Sequence, residues 1–140
     1  MAERDEIDAL IATLDLAPHP EGGFYRETFR QPSPEGGRSL ATTILFLLPG
    51  GERSHWHRVD AAEMWLWHAG NPLDLLIDDR RIKLGGDVLA GEQPQGLVPA
   101  HAWQSAEATY GWALVSCMVA PGFDFVGFEL AAPGWVPPHA

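Results

Sequence analysis

A single cysteine, Cys117, and a single lysine, Lys83, stand among 140 residues. One thiol excludes an internal disulfide framework and a cysteine-rich zinc site. Its place in the apolar stretch 112–119 marks it as a buried core thiol. Positive charge is equally scarce: 9 Lys and Arg face 19 Asp and Glu, a net charge of −10. A phosphate backbone or an anionic membrane surface repels such a chain, so no nucleic acid and no membrane is expected as a partner. Long apolar runs are missing too. Residues 43–48 form one of the longest, far short of a bilayer crossing. The start of the chain, polar and acidic over residues 1–6, is unlike a secretory leader and points to the cytoplasm.

What is present is apolar and heavily punctuated. Apolar residues make up 46% of the chain, and 15 Gly and 12 Pro fall between short apolar runs. That pattern excludes a helical bundle and describes one all-β domain spanning residues 1–140. The exception is at the start. Ile7, Leu10, Ile11 and Leu14 form an apolar stripe at helical spacing, predicting a helix over about residues 3–16, packed outside a sheet and ended before Pro18. A barrel is expected over about 22–130, with strands at 23–30, 39–48, 52–57, 63–68, 73–77, 80–84, 95–98, 102–108, 110–119 and 123–130. Trp103, Trp112, Phe123 and Phe125 read as core. The tail, 131–140, carries three prolines and reads as irregular and exposed.

Chemistry concentrates between Gly50 and Gly70. Side chains alternate faces along a strand, so His55 and His57 should share one face, with Glu63 opposite them on the returning strand. Two imidazoles and a carboxylate with open positions suit divalent Fe, Mn, Ni or Zn. The same three groups also make a hydrogen-bonded network or a general acid–base site without metal. Trp65 and Trp67 share the face of Glu63 and would line a ligand pocket. Ser54, with no base beside it on its strand face, is expected to touch a ligand rather than act as a nucleophile. Tyr25 and Arg26 follow the Gly22-Gly23 pair; Arg26 either reaches an anionic ligand group or pairs at a surface, with Glu129 as a candidate partner. Asp60 reads as a turn residue with Arg58 as its partner.

The spacing His55-X-His57-X5-Glu63-X6-Gly70 resembles the first motif of the cupins. The second cupin motif, Pro-X-Gly-X-X-His, corresponds here to Pro99-Ala100-His101-Ala102-Trp103-Gln104. His101 stands at the glycine position and Gln104 at that of the last histidine. Further blocks narrow the resemblance: His19-Pro20-Glu21-Gly22-Gly23-Phe24-Tyr25-Arg26-Glu27-Thr28, Glu63-X-Trp65, and Ala120-Pro121-Gly122-Phe123-Asp124-Phe125 through Phe128-Glu129-Leu130. Over roughly residues 19–130 the chain is similar to domain-of-unknown-function family 985, a branch of the cupin superfamily. The resemblance implies a double-stranded β-helix (cupin or jelly-roll barrel) and a homodimer. It implies a divalent metal held by His55, His57, Glu63 and Gln104, or the same pocket without metal. The expected function is binding of a polar small molecule, with His55, His57 and Glu63 as catalytic groups in isomerase- or epimerase-like or metal-dependent chemistry. Ser54, Trp65, Trp67, Gln104, Tyr25 and Arg26 would contact that substrate. A non-catalytic metabolite-binding cupin dimer and a barrel serving assembly alone are the alternatives.

Overall fold

The computed structural model describes residues 2–138. The helix α1 (Ala2–Leu14) precedes eleven strands: β1 (Ala17–Pro18), β2 (Phe24–Gln31), β3 (Ala41–Leu48), β4 (Arg53–Val59), β5 (Ala62–Gly70), β6 (Leu73–Ile77), β7 (Arg80–Leu84), β8 (Gln95–Val98), β9 (Gln104–Glu107), β10 (Ala113–Ala120) and β11 (Phe128–Leu130). They form two antiparallel sheets, ordered β1-β2-β3-β10-β5-β8 and β11-β4-β9-β6-β7. From β3 onward the chain passes to the other sheet at every connection except the β6–β7 hairpin, which is the jelly-roll arrangement expected of short strands separated by Gly and Pro turns.

The apolar stripe of α1 lies on the outer face of the larger sheet, where Ile7, Leu10, Ile11 and Leu14 meet Leu47, Leu45 and Leu114. Between the sheets the main core gathers Phe46, Leu48, Trp65, Leu73, Leu75, Ile77, Val98 and Val115, all essentially inaccessible. Burying an aliphatic side chain of this kind is worth about 1.5–3 kcal/mol. This cluster carries most of the driving force for closing the barrel.

Three ladders carry a bulge, one of them where β5 pairs with β10 between Leu114 and Val115, and two fall beside the site. In β2 the pairing with β3 slips between Glu27 and Phe29, and in β4 the pairing with β9 slips between Ser54 and His57. Each inserts one unpaired residue and reverses the facing of everything beyond it.

Four expectations are corrected. Residues 123–127 are not strand: Asp124 accepts a hydrogen bond from the Val126 N–H (3.3 Å), and Phe125–Gly127 form a 3₁₀ turn before β11. Such an Asx contact competes with a strand ladder. Trp103, Trp112 and Phe123 are only half-buried and Phe125 is 52% exposed, because all four lie in connections between strands; Trp112 packs against the cluster under α1 and Phe123 against Val59, Ala61 and Val119. The tail is irregular but attached: the Ala131 N–H donates to the Trp56 carbonyl, and Trp135 packs on Trp103 with ring centroids 4.5 Å apart. Residues 139–140 of that predicted tail lie outside the described residues. The partners foreseen for surface charges also change, Arg58 pairing with Glu129 (2.8 Å) and Asp60 with Arg38 (2.7 Å).

Candidate functional site: a buried carboxylate–imidazole pair in the barrel

One end of the barrel holds a cavity of about 360 Å³. His57 and Val59 of β4, Glu63 of β5, and Cys117 and Val119 of β10 form its floor and one wall. Tyr25, Glu27 and Arg30 of β2 form another, the bulge at Thr28 having brought Arg30 round to the cavity side. His19 and Glu21 enter from the loop before β2. Phe123, Phe125 and Phe128 close over the mouth.

The loop reaches the cavity because Gly22 allows it. Its φ is +106°, and a Cβ there would lie 2.9 Å from the Arg53 carbonyl, so a side chain is excluded on both counts. Docked against β4, Glu21 accepts the His55 N–H on its carbonyl (2.7 Å) and places its carboxylate 2.8 Å from His57 Nε2. The other ring nitrogen, Nδ1, lies 2.8 Å from the His55 carbonyl. Both nitrogens thus face acceptors, which favours the doubly protonated ring. Burial by itself lowers the His57 pKa; the Glu21 carboxylate bonded to it, helped by Glu63, outweighs that and raises it to about 9.

Glu63 is the second buried carboxyl. Gln104 Nε2 donates to its Oε1 at 2.8 Å, and Trp65 Nε1 donates to Gln104 Oε1 at 2.9 Å. Burial raises the Glu63 pKa, while the His57 imidazolium and the Gln104 hydrogen bond pull it back down. Burial likewise pushes the Cys117 thiol well up, with Glu63 adjacent, so Cys117 is inert as a nucleophile. Burial lowers the pKa of His19, whose Nδ1 accepts the Glu21 N–H (3.1 Å). The proton of that neutral ring therefore sits on Nε2.

Of the residues singled out from sequence, His57, Glu63 and Tyr25 line the cavity. His55 does not join them. The β4 bulge turns it outward, where Nε2 meets the Ala132 carbonyl at 2.9 Å and fastens the tail. Ser54 is fully buried in the ladder, its hydroxyl accepting the Ala106 N–H (2.9 Å). Trp65 lies one layer deeper in the core, and Trp67 bonds the Asn71 carbonyl (2.8 Å); neither wall of the cavity contains them. Gln104 acts behind Glu63. Arg26 is exposed and donates to the Leu14 carbonyl (2.8 Å), tying β2 to the end of α1. His101 is exposed at a left-handed turn with φ +70°, the conformation that makes a glycine natural there.

The donor set does not fit the metal ion implied by the resemblance. With His55 outside, the central imidazole and amide are already held by protein: His57 by Glu21 and the His55 carbonyl, Gln104 by Glu63 and Trp65. Among the described residues, no three His, Cys, Asp or Glu side chains gather as an ion site. Sequence reasoning missed His19, Glu21, Glu27 and Arg30. The available signal was a His-X-Glu beside two glycines, a loop free to approach a strand closely.

Comparison with known proteins agrees with this architecture. A solved protein of Shewanella oneidensis is 44% identical, with a TM-score of 0.82 over 89% of this chain and 84% of that one. A hypothetical protein of Leishmania major is 36% identical, with a TM-score of 0.79 over 89% and 86%. KdgF from a Halomonas species shares only 12% identity at a TM-score of 0.62, covering 80% and 90%, and is alike in fold alone. No curated protein matches the chain. The family model described as Cupin superfamily (DUF985) matches residues 8–131, and the chain belongs to that family.

Proposed function

We propose that the protein binds a polar small molecule in the barrel cavity and transfers a proton on it, as an isomerase or epimerase does, using its own side chains. The observation that carries this reading is the buried Glu21–His57 pair at the cavity wall, with Glu63 nearby. Two carboxyls with contrasting environments supply a base and an acid. Glu21, steadied by the imidazolium of His57, removes a proton from a carbon next to an electron-withdrawing group. Glu63, whose pKa burial raises, delivers a proton to the product-forming position. Rings at the mouth exclude water from the exchange. The homodimer implied by the family resemblance belongs to the same proposal and is read by sedimentation velocity.

The test is deuterium uptake. The protein is incubated in D₂O with pools of sugars, hydroxy acids, keto acids and amino acids, and carbon-bound deuterium is followed by NMR. Uptake into one component by the wild type, lost in Glu21→Gln and His57→Asn, is the expected outcome. A component that binds without uptake would instead make the barrel a receptor.

A further inference from the structure

Every cation in the cavity wall is already engaged by protein. Arg30 donates from Nε and one Nη to Glu27 (3.1 and 2.7 Å), from the other Nη to the Ser39 hydroxyl (3.1 Å), and also to the Phe123 carbonyl (3.2 Å). His57 has both ring nitrogens against acceptors. Of the five Arg30 N–H groups four are bonded to protein, so its charge is largely spent on Glu27 and little is left for a carboxylate or phosphate on a ligand.

Acceptors are left over. The Glu21 side chain is only 6% exposed, and Oε2 takes the contact with His57. Its Oε1 has no donor among the described residues. His19 Nδ1, at 4.0 Å, is itself an acceptor for the Glu21 N–H and carries no proton to give. A carboxylate oxygen that opens on a cavity with no protein donor is free to accept from a ligand. Asp124, exposed at the mouth, adds a second negative group. Around it stand three phenyl rings packed edge to face: Phe123 and Phe125 at 4.9 Å, Phe123 and Phe128 at 5.7 Å, Phe125 and Phe128 at 5.8 Å. Aromatic faces attract cations and repel anions.

The geometry points to an organic ammonium as the ligand, its N–H donating to Glu21 Oε1 and its carbon skeleton lying against Phe123, Phe125 and Phe128. This rests on the cavity being the ligand site, and it runs opposite to the anionic ligand that Arg26 suggested from sequence. The neutral His19 Nε2–H and the Glu63 carboxyl remain for the uncharged polar groups of the same molecule.

Three probes of one size and shape test it: benzylammonium, benzyl alcohol and benzoate, titrated by NMR at neutral pH. Benzylammonium should bind at least about tenfold more tightly than the alcohol, the usual margin of a charge-assisted hydrogen bond, and benzoate should bind most weakly. In Glu21→Gln the ammonium-to-alcohol ratio should fall toward one with alcohol affinity retained. Should that variant fail to fold, Phe125→Leu at the exposed rim should lower the same ratio several-fold. Equal affinities, a preference for benzoate, or no binding of any probe would overturn the inference. Deuterium uptake into an anionic substrate would also overturn it while sustaining proton transfer. Ammonium-selective binding with no uptake into any amine would do the reverse.

Discussion

The two ends of the barrel interior are built from the same strands and behave as different materials. On β5, Glu63 and Trp65 are two residues apart and point the same way, one into the cavity and the other into the core. On β10, Val119 lines the cavity and Val115 fills the core. Depth along the strand, rather than strand composition, decides which chemistry a side chain meets. Gln104 is the seam: its oxygen accepts from the core indole and its nitrogen donates to the cavity carboxyl. A planar amide presents an acceptor and a donor from one group, so no polar atom is stranded at the boundary.

That contrast can be broken most severely at the seam. Trp65→Ala empties the largest core site and removes the donor to Gln104, and should cost about 3–5 kcal/mol in chemical denaturation. Trp65→Phe keeps most of the bulk and loses only the N–H, so about 1–2 kcal/mol is expected. A phenylalanine variant as damaged as the alanine one would show the seam to matter more than the packing.

The polar end should reveal itself through pH. The folded pKa of His57, about 9, exceeds the ordinary imidazole value of 6.5. Its stabilising contribution is therefore complete below pH 6.5 and is lost as pH rises to 9, by up to about 3 kcal/mol. Glu63, also raised, acts in the same direction as pH climbs above its ordinary range. Glu21→Gln should destabilise by about 2–3 kcal/mol at neutral pH and flatten that slope, because the imidazolium loses its counter-charge. Urea unfolding at pH 6, 7.5 and 9 reads both effects; an unchanged slope in the variant contradicts the pairing.

The smallest effect belongs to a position outside both ends. His101→Gly relieves a left-handed residue in the β8–β9 turn and should stabilise by about 1 kcal/mol, with cavity binding unchanged. Loss of binding in this variant would return His101 to the site.

Much of the fold was legible in the chain. The α1 stripe, the strands β6, β7 and β8 to the residue, and the barrel class all follow from periodicity and Gly and Pro punctuation. The site was legible only in part, and for one main reason. Alternation holds while a ladder is regular, and bulges in β2 and β4 fall beside the chemistry. They carried His55 out and Arg30 in. Trp65 was placed on the correct face but at the wrong depth, which alternation does not encode. Glu21 lies in a loop, and its position depends on Gly22 meeting β4, a contact distant in sequence.

The attached tail has an optical consequence. Trp103 and Trp135 hold their rings 4.5 Å apart, while buried Trp65 has Phe46 as its ring partner at 5.9 Å. Two indoles at that spacing couple their electronic transitions and give a paired near-ultraviolet circular dichroism signal. Their contact depends on the tail held by His55, not on the cavity contents. The molecule thus carries its own chromophoric latch, which reports the C-terminal segment lifting away.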